Sequence, residues 1–337
     1  MKISIITVCL NSENTIISTL NSVLSQTYQN IEHIIVDGGS TDKTLNIIEK
    51  YDQKQKKIIY AKNSGIYDSM NKGIEASTGE IITILNSDDI YQNSNTISET
   101  VDIIKKNPNY PIYLGDVVYF KNTSYFEIYR HYSSKSFKKW QMKIGLMPPH
   151  PSSFIRRDIY KKYGLYRSDF KIASDFEIFL RFIFKKKLDF YKINKIIVRM
   201  RMGGISGRNI KSYIISTKEI LKSFKLNEIK TNIFLILLRL PPKLFQYIFI
   251  STSSLNSNFK LFELKFGKEY LKDAFKIVKK VKNIPYEKNF ILSGLNLAFL
   301  GYYFKNDIKN HQDLYHWPDG IFAKTVFDNI EKVPGRD

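Results

Sequence analysis

The sequence predicts an α/β fold, a mostly parallel sheet flanked by helices, followed by a basic helical C-terminal region. Three features predict it. Apolar runs of strand length alternate with helix-period segments through the first 120 residues. Short stretches rich in Asn, Asp, Gly and Ser follow several of those runs. From residue 208 to about 282 the chain reads as helical and very basic, interrupted by Pro241-Pro242.

The elements follow in order. ISIITV from Ile3 is a strand, and Asn14 to Leu24 carries apolar residues at helical spacing. IEHIIVD from Ile31 is a second strand, and Thr41 to Tyr51 a second helix with Ser40 or Thr41 as its cap. KIIYA from Lys57, a helix over Tyr67 to Ala76, EIITIL from Glu80, a helix over Thr96 to Lys106 and the strand YPIYLGDVVYF complete the alternation. From about Lys121 to Arg201 the pattern is irregular, with PPHPSSF at Pro148, a helix-like ASDFEIFLRFIF from Ala173 and a loop, GGISGR, from Gly203.

In sheets of this kind ligands bind beyond the carboxyl ends of the strands. Three polar stretches fall there: CLNSEN, DGGSTD and NSDD. DGGSTD offers loop glycines and a helix N-terminus, which favour anionic ligands. NSDD sets Asp88 beside Asp89, and adjacent carboxylates repel unless something neutralises them. Two explanations stand: ordinary turn chemistry, or a divalent cation held by few protein oxygens and several phosphate oxygens.

Bulk composition narrows the class. With 43% hydrophobic residues a sizeable core is available and wholesale disorder is not expected. The one cysteine, Cys9, has no internal partner, which fits a reducing compartment. The N-terminus lacks a signal-peptide pattern and no apolar run is long enough to span a bilayer, so a cytoplasmic protein is expected. A net charge of +20 calls for an anionic partner, or reflects a Lys-, Ile- and Asn-rich bias.

VDGGSTD, SGIYDSMNKGIEASTGEIITILNSDD, ASDFEIFLR and MGGIS, in that order, resemble an inverting family 2 glycosyltransferase. The similarity is to the branch that builds bacterial capsule, colanic-acid-like and O-antigen polysaccharides, and it spans roughly residues 1–206. It implies the GT-A (Rossmann-like) fold, a nucleotide-sugar donor (uridine-linked), a lipid-linked saccharide acceptor and Mg²⁺ or Mn²⁺. By the same resemblance Thr7, Asn11, Ser12 and Glu13 belong to the first nucleotide-contacting loop. Asp37 contacts base or ribose and Asp68 makes a second nucleotide contact. Asp88 ligates the metal, while Asp89 contacts ribose or supports the site. Asp175 is the catalytic base, and Arg181 holds a loop or a phosphate. His150 lies on the acceptor side, and Gly203 and Gly204 belong to a mobile segment near the diphosphate. Two positions depart from the widespread form. Gly38 replaces a second acid after Asp37, and Asn86 replaces the first acid of the metal motif.

Other readings of the same residues stand beside these. Ser174 or Asp175 also reads as a helix cap. His150 also reads as a loop residue, Glu177 as a solvated or pairing residue, and Lys72 as a helix-surface lysine. Trp140 and the aromatic stretch from Tyr113 to Tyr132 also read as core.

Residues 207–284 form the basic region, and IKTNIFLILLRLPPKLFQYIFI from Ile229 suits either an interfacial helix on anionic lipid or a packed hairpin. Residues 285–337, with LNLAFLGYYF, LYHWPDGIF and VPGRD, resemble the start of the WecG/TagA glycosyltransferase family. Asn296 and Asp319 fall on its LN and PDG positions. The expectation is a truncated two-enzyme fusion or a retained remnant. Two competing functions were weighed. A nucleotidyltransferase would carry a Gly-rich, Arg/Lys-bearing loop where CLNSEN stands. A non-catalytic membrane- or nucleic-acid-binding protein would show a basic module, and no nucleic-acid signature is present. Oligomeric state is unread.

Overall fold

The computed structural model describes residues 1–51, 56–121, 124–202, 210–237 and 239. Gly203, Gly204, most of the basic region and all of 285–337 lie outside the described residues.

The first half is the expected alternation. Strands β1 (Ile3–Cys9), β2 (Ile31–Asp37), β3 (Lys56–Tyr60) and β4 (Ile81–Ile84) alternate with helices α1 (Ile16–Leu24), α2 (Thr44–Lys50) and α3 (Ile66–Ala76). The strands lie side by side as β3-β2-β1-β4, all parallel, with Cys9 opposite Asp37. Every residue of β1 is buried, because helices cover both faces and leave no side of the strand wet. One apolar layer gathers Ile6, Val8, Ile34 and Val36 with Met70 and Ile74 of α3. Ile3, Ile5, Ile31 and Ile81 meet Ile97 and Val101 on the opposite face. Helix α3 lies very close to β1: a Cβ on Gly73 would sit 2.5 Å from Ile6 Cγ2.

The second half joins through an antiparallel strand. Short β5 (Ile90–Tyr91), α4 (Thr96–Lys106), β6 (Ile112–Lys121), β7 (Ser124–Tyr132), β8 (Ser153–Arg156), α5 (Arg157–Tyr163), α6 (Ser174–Phe179) and β9 (Phe190–Arg201) follow. β8 runs antiparallel to both β4 and β6, so β6 and its parallel neighbour β9 point the same way as β1. The sheet is therefore mostly parallel, with β5, β7 and β8 reversed. Helix α6 continues over Leu180–Lys185 as a wider π turn, so the helical stretch expected from Ala173 has two geometries. Helices α7 (Ile210–Leu226) and α8 (Ile233–Leu237) end the described chain. No helix among the described residues is long and apolar enough to cross a membrane.

Candidate active site

The loops after β1 and β2 are stapled to each other. Asn11, at φ 50°, turns its side chain so that Oδ1 accepts the Thr41 backbone N–H at 2.9 Å. Its own N–H donates to Ser40 Oγ at 2.9 Å, and Glu13 Oε2 accepts from the Lys43 N–H at 2.9 Å. Asp42 Oδ2 accepts the Glu13 N–H at 3.1 Å. Burial opposes the Asp42 charge, yet hydrogen bonds from Thr44 and Glu13 hold its pKa below the usual range. These bonds draw residues 40–42 into the turn, so α2 starts at Thr44 without the Ser40 or Thr41 cap the sequence suggested.

Asp37 is buried at the end of β2. Its Oδ1 accepts the N–H groups of Gly39 and Ser40 at 2.9 and 2.8 Å, and Oδ2 accepts Ser40 Oγ–H. The carboxylate thus shapes the turn that Gly39, at φ 100°, makes possible. Thr7 departs from its expected place in a nucleotide-contacting loop. It lies within β1, fully buried, and its hydroxyl bonds His33 Nε2 at 2.9 Å, because alternate residues of a covered strand face the core.

The NSDD turn closes against the same wall. Ser12 Oγ and Ser87 Oγ are 2.8 Å apart, and Thr19 Oγ1 donates to the Asp89 carbonyl at 2.8 Å. The two acids part company here. Asp88 is half-buried, whereas Asp89 has no exposed surface. Burial first and the Asp88 charge second push the Asp89 carboxyl well above the usual carboxylate range. Asn86 Nδ2 donates to Asp89 Oδ2 at 3.0 Å, while Asn86 Oδ1 and Asp89 Oδ1 have no hydrogen-bond partner. Asp89 is therefore not a surface contact, and the adjacent acids are separated by burial. Arg201 lies close enough to favour its ionised form in smaller part.

Asp68 opens α3 and pairs with Lys72 at 3.1 Å; hydrogen bonds from Ser64 and Lys72 hold its carboxyl below the usual range. Lys72, one turn further along this helix, is thus the ion-pair partner of Asp68.

Asp175 is half-buried in the first turn of α6, its Oδ1 accepting the Phe176 N–H at 2.8 Å. The cap position is Ala173, so neither Ser174 nor Asp175 caps this helix. Ser174 Oγ instead accepts the Arg167 N–H at 2.8 Å. Tyr67, Tyr132 and Tyr166 feel the Asp175 charge, although burial is the larger cause of their raised pKa values.

Two expected site residues are structural. Arg181 grips Glu177 through Nε and Nη2 at 3.1 and 2.8 Å and donates to the carbonyls of Tyr163 and Leu165. It holds a loop, one of its two expected roles, and Glu177 is a buried pairing residue and not a solvated one. His150 does not face an acceptor. It is buried, 2.6 Å from the Tyr166 hydroxyl and edge-on to Phe179, and burial drops its pKa to about 4. A proline-flanked histidine reads as loop, and only the packing of Tyr166 and Phe179 around it makes it core. Trp140, by contrast, is more than half exposed.

Glu219 of α7 was missed. Its carboxylate accepts the N–H groups of Lys171, Ile172 and Ala173 at 2.7, 2.9 and 2.8 Å, directly before Asp175. One signal existed: it is the lone acid in IKSYIISTKEILKSFKL, among four lysines.

A parallel half of alternating strands and helices, joined through one antiparallel strand and carrying an acid turn at a strand end, has the GT-A fold. Residues 4–164, just under half of the chain, match the family model described as Glycosyl transferase family 2. The chain is similar to an uncharacterized glycosyltransferase of Rickettsia typhi, 29% identical over 209 residues, 59% of this chain and 64% of that protein. A PGL/p-HBAD biosynthesis glycosyltransferase of Mycobacterium bovis is 27% identical over 181 residues, 53% of this chain and 68% of the relative. The chain thus spans just under two thirds of the Rickettsia relative. Among solved structures, S. aureus TarS 1-349 in complex with UDP-GlcNAc superposes with a TM-score of 0.53 at 21% identity, covering 66% of each chain. That likeness is one of fold.

Proposed function

We propose that the protein is an inverting hexosyltransferase that moves a sugar from a UDP-linked donor to a lipid-linked saccharide in bacterial surface polysaccharide synthesis. The observation that carries the reading is the wall of three strand-end loops, bonded through Asn11–Ser40, Ser12–Ser87 and Glu13–Lys43, with the Asp88 turn closing one end. UDP-GlcNAc in the TarS structure supports a uridine-linked donor. Asp175 is the general base. It takes the proton of the acceptor hydroxyl as that oxygen attacks the anomeric carbon from the face opposite the diphosphate.

The residues fit a divalent cation of a particular kind. No three His, Cys, Asp or Glu side chains cluster to hold a metal among the described residues. Asp88, with the unpartnered Asn86 Oδ1 in the same turn, suits a cation that takes its other oxygens from phosphate and water. When bound, Mg²⁺ or Mn²⁺ would neutralise charge on the departing diphosphate. A lipid-linked acceptor and contact with the cytoplasmic membrane face are supported by α8, where Ile233, Phe234, Leu235 and Leu237 are exposed, and by the four lysines of α7.

Calorimetry tests the donor side. UDP is expected to bind more tightly than GDP, and only with Mn²⁺, and Asp88→Asn to weaken it by about 10-fold or more. Nucleotide binding that ignores both metal and Asp88→Asn would leave NSDD as turn chemistry and sink the donor assignment.

A further inference from the structure

Resting on Asp175 as the base, we propose that Glu219 is its positioning residue, and that α7 is the brace through which it acts. Three successive N–H groups, from Lys171, Ile172 and Ala173, converge on one carboxylate. These N–H groups belong to the loop that leads into α6, and a charged carboxylate is a strong acceptor for them. On the other side, the Tyr67 hydroxyl donates to the Ile172 carbonyl. The peptide unit two residues from the base segment's helix is therefore held from both directions.

Glu219 does not act alone on this face of α7. Lys222 pairs with Asp169 at 2.7 Å, the Phe224 ring lies 5.7 Å from that of Phe176, and Asn227 Nδ2 donates to Glu177 at 3.1 Å. These contacts all meet the segment from Asp169 to Glu177. Asp175 sits in the middle of it, half-buried and outside the span of the family match. A displacement of about 1 Å at a reacting group costs on the order of 100-fold in rate, so a brace here sets turnover more than donor binding.

The test uses the full chain and UDP release from UDP-GlcNAc onto water. The water oxygen bonds to the anomeric carbon as that carbon's bond to the phosphate oxygen breaks. Asp175 takes the proton, and UDP leaves with the electron pair. Asp175→Asn is expected to lower kcat by about 100-fold or more. Glu219→Gln should lower kcat by about 10-fold with the KM for UDP-GlcNAc unchanged, and Glu219→Asp should recover part of the loss. In the Asp175→Asn background Glu219→Gln should cost nothing further, since a residue acting through the base has no base to act on. A full multiplicative loss in the double variant, a wild-type kcat for Glu219→Gln, or a matching rise in KM overturns the inference alone. Wild-type turnover by Asp175→Asn overturns both readings. Amide exchange decides the brace whatever the donor: Glu219→Gln should speed exchange at residues 171–173 about 10-fold while β1 and β2 stay protected, and unchanged exchange there refutes it.

Discussion

The loops that close β1 and β2 hold one another, whereas the segment carrying Asp175 is held by elements far away in the chain. In the first region Asn11, Glu13 and Asp42 accept backbone N–H groups of the facing loop, about thirty residues away, and Asp37 accepts those of its own turn. In the second, Tyr67 reaches Ile172 from α3 across 105 residues, and Glu219 of α7 and Asn227 just after it reach in across 46 and 50, while Arg181 ties the segment to nearby Tyr163 and Leu165. Mutually stapled turns are a local device. A segment held by two remote elements, α3 and the end of α7, reports on the state of the whole domain, and its substitutions should be costlier.

The largest effect should come from Arg181→Met. It leaves the Glu177 carboxylate buried without its fork-shaped partner and strips two carbonyls of their donor, a cost of about 3–5 kcal/mol. Urea unfolding followed by tryptophan fluorescence gives the number. A loss below about 1 kcal/mol would break the comparison, because the second region would then be as loosely tied as the first.

His150 sharpens it through pH. In the unfolded chain its imidazole gains a proton near the ordinary histidine value of about 6.5, but in the fold only near 4. The unfolded state therefore binds the extra proton between these values. This contribution is full above about pH 6.5 and is lost progressively as pH falls toward 4, amounting to about 2 kcal/mol by pH 5. The urea midpoint of wild type should drop between pH 7 and pH 5 by more than that of His150→Gln. Equal drops in the two proteins would place the titration elsewhere.

What the sequence made legible follows the same division. β1, β2 and α4 can be read from periodicity, and the Asp37 and NSDD turns from residue type, because their determinants are neighbours in the chain. What Asn11 and Glu13 touch was not legible, since donors from the facing loop appear only once the two strands pair. Asp89 could not be told from Asp88, because burial and not identity separates them. Strand β8 went unread because it is short and its antiparallel place between β4 and β6 depends on partners far away in sequence. Glu219 was visible only as a lone acid among lysines, a signal without an address until α7 docks.

The smallest effect should fall on the local region, at Asn11. Asn11→Ala removes the acceptor of the Thr41 N–H and leaves an alanine at φ 50°, where a Cβ is disfavoured. Asn11→Gly removes the same acceptor but keeps the backbone conformation. The bonds between Ser12 and Thr44 and between Ser12 and Ser87 remain in both, so the loops stay joined. Asn11→Ala should therefore cost about 1–2 kcal/mol and Asn11→Gly about 1 kcal/mol or less. If these loops form the proposed donor wall, UDP affinity should fall in both by more than global stability does. Denaturation and UDP titration on the same three proteins separate the two quantities. A stability loss at Asn11 as large as that of Arg181→Met, with UDP affinity unmoved, would mean that the stapled loops are the keystone of the fold and that donor contacts lie elsewhere.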